Sequence, residues 1–206
     1  MADTRRFWNL LSGIYSRQKI GDENAYRKKL AKTQDHFRPD MVVREIGCGT
    51  GTTAVIHAPH VADYEGVDFS GKMLDIARTR AADAGVTNLT FRQAALEDLD
   101  ATGNFDAVLA LSLLHLLEDR DAGIAHVAEM LKPGGLFISS TVCIGGTNGW
   151  LKVLGPIPRA FSLFPILKHF TRAELEASVQ GAGFEIVESW QPKEGASVFI
   201  IARKSG

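Results

Sequence analysis

The chain has 206 residues, 45% of them hydrophobic and 23% charged, with a formal net charge of −1, which suits one domain with a substantial core. Near-neutral charge argues against a nucleic-acid partner held by phosphate contacts alone, and the most apolar run, Val108 to Leu117, is far short of the roughly 20 residues a membrane span needs. Two cysteines without a CxxC pair, and a start with no long apolar run, lead to the expectation of a cytoplasmic chain with no secretory leader.

The first forty residues are basic and polar around an apolar cluster that includes Phe7, Trp8, Leu11 and Tyr15. Asp22 to Phe37 predicts a helix with Tyr26, Leu30, Thr33 and Phe37 on one face. From Met41, short apolar strands alternate with amphipathic helices. Strands are expected at Met41–Ile46, Tyr64–Val67, Leu89–Gln93, Ala107–Leu111 and Leu136–Val142, with helices at Thr52–Ala58, Ser70–Ala84 and Arg120–Leu131. Continuous apolar strands separated by helices predict a parallel sheet covered on both faces. Leu131 to Gly135, LKPGG, is expected to stop a helix and lead into a strand. Residues 146–170 break the rhythm with Pro156, Pro158 and Pro165 in an apolar stretch that contains no acid. Thr171 and Glu174 form a capping box that opens a helix ending near Gly181. Phe184–Trp190 and Ser197–Ala202 lie so close in sequence that they must pair as an antiparallel hairpin.

The stretch REIGCGTGTTA, Arg44 to Ala54, places Gly47, Gly49 and Gly51 between the first strand and the next helix. Such a loop lies at the carboxyl edge of the sheet, where open α/β sheets bind ligands. It is not a phosphate loop, because no lysine follows the glycines, and Thr52 stands where a dinucleotide fingerprint has its third glycine. Glu45 would repel a pyrophosphate and attract an ammonium or sulfonium. Asp68, ending the second strand, is placed to accept two ribose hydroxyls. A ligand with a ribose, a positive charge and no phosphate fits S-adenosyl-L-methionine.

With these residues in view, the chain resembles the class I S-adenosylmethionine-dependent methyltransferases, of the small-molecule type, from about Asp40 to its end. VVREIGCGTG is similar to the family's first motif, YEGVDFSGKMLDIAR to the second, FDAVLALSLLHLLED to the fourth, and LKPGG to the turn that follows. The resemblance implies a Rossmann-like, doubly wound, seven-stranded α/β sheet, mostly parallel with an antiparallel last strand. It also implies cofactor contacts at Glu45, Gly47, Cys48, Gly49, Gly51, Asp68, Phe69, Met73 and Leu96. At the third strand the family often carries an aspartate that holds the adenine amino group; here Ala94 and Ala95 occupy that place, and Ser112 or Glu97 are the candidate substitutes.

One domain, residues 1–206, is expected: a helical lid over 1–40, a cofactor-binding core over 41–145, an apolar lid insert over 146–170, and a helix with hairpin over 171–206. The expected reaction moves a methyl group to a small, apolar or amphipathic acceptor. A cofactor-binding protein without catalysis, and a nicotinamide-dependent oxidoreductase suggested by the Tyr15/Lys19 spacing, are the alternatives. His115, after the fourth strand, and Tyr15 are the candidate bases, with an ordinary half-buried histidine as the competing reading of His115. His57 and His60 are expected as surface or capping groups, and Cys48 as a small loop residue. No cluster has metal-ligand spacing, so no metal is expected. The insert encloses the acceptor or, alternatively, meets a membrane surface or a second subunit.

Overall fold

The computed structural model describes residues 21–143, 170–193 and 195–206. Trp8, Tyr15, Lys19 and the insert short of Phe170 therefore lie outside the described residues.

Helix α1, Glu23–Gln34, begins at Asp22, whose side chain accepts the N–H of Ala25 at 2.9 Å. Strand β1, Val42–Ile46, leads through the glycine loop into α2, Thr52–His57. Then come β2 (Asp63–Asp68), α3 (Gly71–Asp83), β3 (Leu89–Gln93), β4 (Phe105–Leu111), α4 (Arg120–Met130) and β5 (Leu131–Val142). The described chain closes with α5 (Arg172–Gly181), β6 (Phe184–Trp190) and β7 (Ser197–Lys204). The predicted capping box at Thr171 and Glu174 is present with both of its hydrogen bonds.

The seven strands run in the order β3-β2-β1-β4-β5-β7-β6. β7 is antiparallel to both neighbours, and the remaining pairs are parallel. Side-chain alternation in the strands builds two cores. Val43, Leu109 and Ile138 face one, with Phe199 and Ile201; Ile46, Val108 and Phe137 face the other, with Val198 and Ile200. The sheet is thus buried on both faces, as a doubly wound sheet requires.

LKPGG stops α4 at Met130 and leads into a strand as expected, but the strand starts at Leu131, five residues before the expected Leu136. β5 begins at Leu131, which pairs with Phe105, and the register then shifts before Ala107 meets Leu136. The irregularity contains Gly134 at φ +74°, so the turn chemistry is real but is absorbed within the strand. His57 is a correction. It is 1% exposed, edge-on to Phe37 at 5.3 Å, and makes no capping bond. The last helical turn of α2 points inward, so burial overrides the surface role expected of a helix-end histidine.

Candidate cofactor site

The reversal of strand order at β1 and β4 opens a crevice at the carboxyl edge, and the glycine loop lies there. Its three glycines all have left-handed backbones, φ +70°, +54° and +72°, but they serve different ends. A Cβ on Gly47 would meet Leu113 Cδ1 at 3.1 Å, and one on Gly51 would strike Ala77 Cβ at 2.8 Å. These two let the loop pack. A Cβ on Gly49 would meet nothing within 4 Å, so Gly49 is the glycine at which a ligand can approach bare backbone.

Asp68 holds the loop from the end of β2. Its Oδ2 accepts the Gly49 N–H at 2.9 Å and its Oδ1 accepts the Ser70 N–H at 2.8 Å. Each oxygen keeps a lone pair for a further donor. Burial raises its pKa, opposed by those two backbone donors. Ser70 caps α3 by accepting the Met73 N–H, which frees Asp68 from that duty.

Glu45 is 3% exposed and accepts the Tyr64 hydroxyl at 2.9 Å. Burial pushes its pKa up to about 7, with the Tyr64 hydrogen bond opposing and Asp68 adding to the rise. Among the described residues neither Glu45 nor Asp68 is ion-paired. Cys48 sits between them. Burial, and then the two acids, raise its pKa, so it is a packed thiol and not a nucleophile.

Sequence reasoning missed several contributors. Arg80 Nη1 donates to the Thr50 carbonyl at 2.6 Å, to Thr50 Oγ1 at 2.9 Å and to Thr52 Oγ1 at 2.5 Å, pinning the second half of the loop to α3. Nothing in the sequence separates Arg80 from its helical neighbour Arg78, which pairs with Asp75. Gly66 is needed because a Cβ there would lie 2.9 Å from the Phe91 ring and 3.1 Å from Cys48 Sγ. Tyr26 of α1 buries its hydroxyl near Glu45 and Thr53, and burial raises its pKa. Tyr64 carried a legible signal: a tyrosine in a buried strand needs a hydroxyl partner, and a buried acid stood on the next strand.

The other candidates are spread along the edge. Phe69 is half-buried, and its carbonyl accepts Gln93 Nε2 at 3.1 Å. Met73 is 2% exposed, inside the core. Leu96 and Glu97 follow β3 and line a cleft of about 920 Å³ with Arg120, His126, Phe170 and Glu174; the cleft includes none of the glycine loop. Ser112 follows β4 with a left-handed backbone, φ +59°, and its N–H donates to the Ser140 carbonyl at 2.7 Å. In the sheet β4 is three strand spacings from β3, roughly 14 Å, although the turn after β3 reaches α4, where Leu96 Cδ2 would lie 3.2 Å from a Cβ on Gly123. Glu97 shares that side with other carboxylates, Asp98 on the same turn and Glu118 and Asp119 across the cleft. His115 lies on the short turn Leu114–Leu116, 9% exposed, with Nδ1 buried and without a hydrogen bond. Burial lowers its pKa, so the imidazole is neutral near pH 7.

A family model described as a methyltransferase domain matches residues 43–135. Ubiquinone biosynthesis O-methyltransferase of Azorhizobium caulinodans is 34% identical over 153 residues, covering 71% of this chain and 59% of that protein. The uncharacterized methyltransferase YcgJ of Bacillus subtilis is 30% identical over 126 residues, covering 61% of this chain and 49% of that protein. The chain thus spans less than two thirds of the length of these curated relatives. The crystal structure of YcgJ superposes with a TM-score of 0.71 at 18% identity, covering 87% of this chain and 99% of that one. That of the [4+2]-cyclase SpnF gives 0.79 at 17% identity, covering 98% and 95%. These likenesses show the fold. The matched stretch, residues 43–135, is thus a methyltransferase domain, and the glycine loop with its two acidic strand ends, Glu45 and Asp68, lies inside it.

Proposed function

We propose that the chain binds S-adenosyl-L-methionine and transfers its methyl group to a small-molecule acceptor. The observation that carries this reading is the pair Glu45 and Asp68, two buried carboxylates on either side of the glycine loop with no ion-pair partner among the described residues. Such a site disfavours a pyrophosphate and favours a cation. The cradle fits the group: Gly49 offers open backbone, Asp68 retains lone pairs for ribose hydroxyls, and Leu96 and Glu97 stand on the β3 side, where the adenine would lie.

When bound, the sulfonium supplies an already activated methyl. The chain's own task is then to align the acceptor in line and to exclude water. Leu113, packed against Gly47, covers the loop from the β4 side. The neutral imidazole of His115 is the group we assign to take a proton from an acceptor that arrives protonated. The O-methyltransferase named among the relatives supports an oxygen acceptor.

Calorimetry with S-adenosylhomocysteine and with NAD is the first test; binding of NAD in preference would overturn the reading in favour of an oxidoreductase. Turnover of labelled methyl donor against a panel of small acceptors is the second. Tight binding with no transfer to any acceptor would leave a binding protein without catalysis. His115→Asn should lower kcat without altering S-adenosylhomocysteine affinity.

A further inference from the structure

Three lysines on α1 reach residues in the carboxyl halves of β5 and β6, and two of them are satisfied there. Lys28 lies 4.3 Å from the centre of the Trp190 ring, and Lys32 is ion-paired with Glu188. Lys29 differs. Its half-buried ammonium donates to the Ser140 hydroxyl at 2.8 Å and has no carboxylate within 4 Å among the described residues. The acid with a marked influence on it is Asp22, seven residues back, whose carboxylate caps α1. Partial burial of an ammonium against a neutral hydroxyl carries a desolvation cost that a carboxylate would offset. Of the residues outside those described, 144–169 contain no acid and add Lys152, Arg159 and Lys168, and the acids are Asp3 and Glu194.

The position of Lys29 gives this charge a use. Ser140 is 6% exposed and pairs with Leu111 at the end of β4, and its carbonyl takes the N–H of strained Ser112. Glu45 lies two strands away, on β1, a lateral distance of roughly 10 Å. The carboxyl edge is therefore polarised: two acids at β1 and β2 where a cationic cofactor fits, and at β5 an ammonium with no carboxylate within 4 Å among the described residues.

We infer that Lys29 is the docking point for an anionic oxygen group, a carboxylate or phenolate, on the acceptor, and so selects acidic acceptors over their neutral counterparts. The inference rests on the methyl-transfer reading above. Lys29 is a specificity-determining residue in this scheme; it holds the acceptor and takes no part in breaking the carbon–sulfur bond.

The test uses the full chain with S-adenosylhomocysteine bound, which by itself reports on the cofactor reading. Lysine acylation is mapped by mass spectrometry with benzoate, 4-hydroxybenzoate and hexanoate as probes, and with benzamide and hexanamide as neutral controls. We expect the acids to slow acylation of Lys29 severalfold, the amides to leave it unaltered, and Lys28 and Lys32 to react alike throughout. In the labelled-methyl screen, Lys29→Met should lower kcat/KM for acidic acceptors at least tenfold more than for neutral ones. Lys29→Arg should recover much of that loss, and both variants should keep the wild-type affinity for S-adenosylhomocysteine. Protection of Lys29 by the amides as well as the acids, no protection by either, or an equal loss for acidic and neutral acceptors in Lys29→Met would overturn the proposal. Failure of S-adenosylhomocysteine to bind would instead remove the methyl-transfer reading.

Discussion

The Tyr64 hydroxyl donates to Glu45 Oε2 at 2.9 Å, between two adjacent strands and out of contact with solvent. The bond keeps a buried acid oriented at the start of the glycine loop, yet burial outweighs it and holds the carboxyl near pKa 7. Glu45 is then poised to lose its proton when a cation arrives. We predict that binding of S-adenosylmethionine weakens as pH falls below 7, by up to about tenfold per unit. Calorimetry in two buffers of different ionisation enthalpy should show proton release. Glu45→Gln should bind more weakly and lose both effects; a wild-type affinity that is flat from pH 6 to 8 would contradict the assignment.

The same carboxyl contributes to stability with a definite sign. Its folded pKa lies above the unfolded value, so its contribution is complete below about pH 4.5 and is lost as pH rises through about 7. His57 does the opposite. Its imidazole is buried against Phe37 and its pKa is lowered by that burial, and then by His60, to about 4. The unfolded chain takes up a proton first, so stability falls as pH drops from about 6.5 to about 4. Each effect is on the order of 3 kcal/mol at most, and between pH 4.5 and 6.5 they oppose one another. Urea denaturation should therefore show a shallow pH dependence in the wild-type chain. His57→Phe should expose a fall in stability with rising pH, and Glu45→Gln a rise. Parallel curves for the two variants would refute this account.

The sequence shows alternation and turn chemistry well, and those features carried the sheet. The strands at Leu89–Gln93 and Phe184–Trp190 and the capping box at Thr171 were legible because local pattern and tertiary packing agree there. The glycine loop, Glu45 and Asp68 were legible because their chemistry depends on order along the chain. Arg80 and Lys29 were not. An arginine or lysine on a helix usually meets solvent, and only the crossing of α3 behind the loop and of α1 over the sheet edge turns these two inward. His57 was misread for a related reason: position at a helix end says nothing about which side faces the sheet.

Arg80 has two N–H groups on Nη1 and three oxygens from the loop within reach, so one hydrogen is shared. It contacts the loop from the packing side, and its effect on the cofactor is one of positioning. Arg80→Ala should weaken S-adenosylhomocysteine binding by about 1.5–3 kcal/mol, the usual range for hydrogen bonds made by a charged group. Arg80→Lys should recover only part of this, since an ammonium lacks the planar fork. Hydrogen exchange should show faster amide exchange at Thr50 to Thr53 in the alanine variant. An unchanged affinity together with faster exchange would show that the loop tolerates motion there.

Gly49 and Gly51 allow the ligand and packing roles of the loop to be separated by the same substitution. Both have left-handed backbones, so an alanine at either costs about 1–2 kcal/mol in backbone strain. Beyond that they diverge. Gly51→Ala drives a methyl to 2.8 Å from Ala77 Cβ, with the Ala77 backbone and the Phe91 ring close behind. None of these is the far end of a flexible chain, so α2 and α3 must separate, and overpacking adds a further 1–3 kcal/mol or so. Gly49→Ala meets no protein atom, and its methyl projects into the space assigned to the cofactor. Thermal unfolding without ligand should therefore show Gly51→Ala as the less stable variant. Calorimetry should show the reverse order of severity for Gly49→Ala, with S-adenosylhomocysteine affinity lowered by tenfold or more beyond anything its stability explains. If Gly49→Ala binds as the wild type does, the cofactor does not pass over Gly49, and the open face of the loop serves some other ligand.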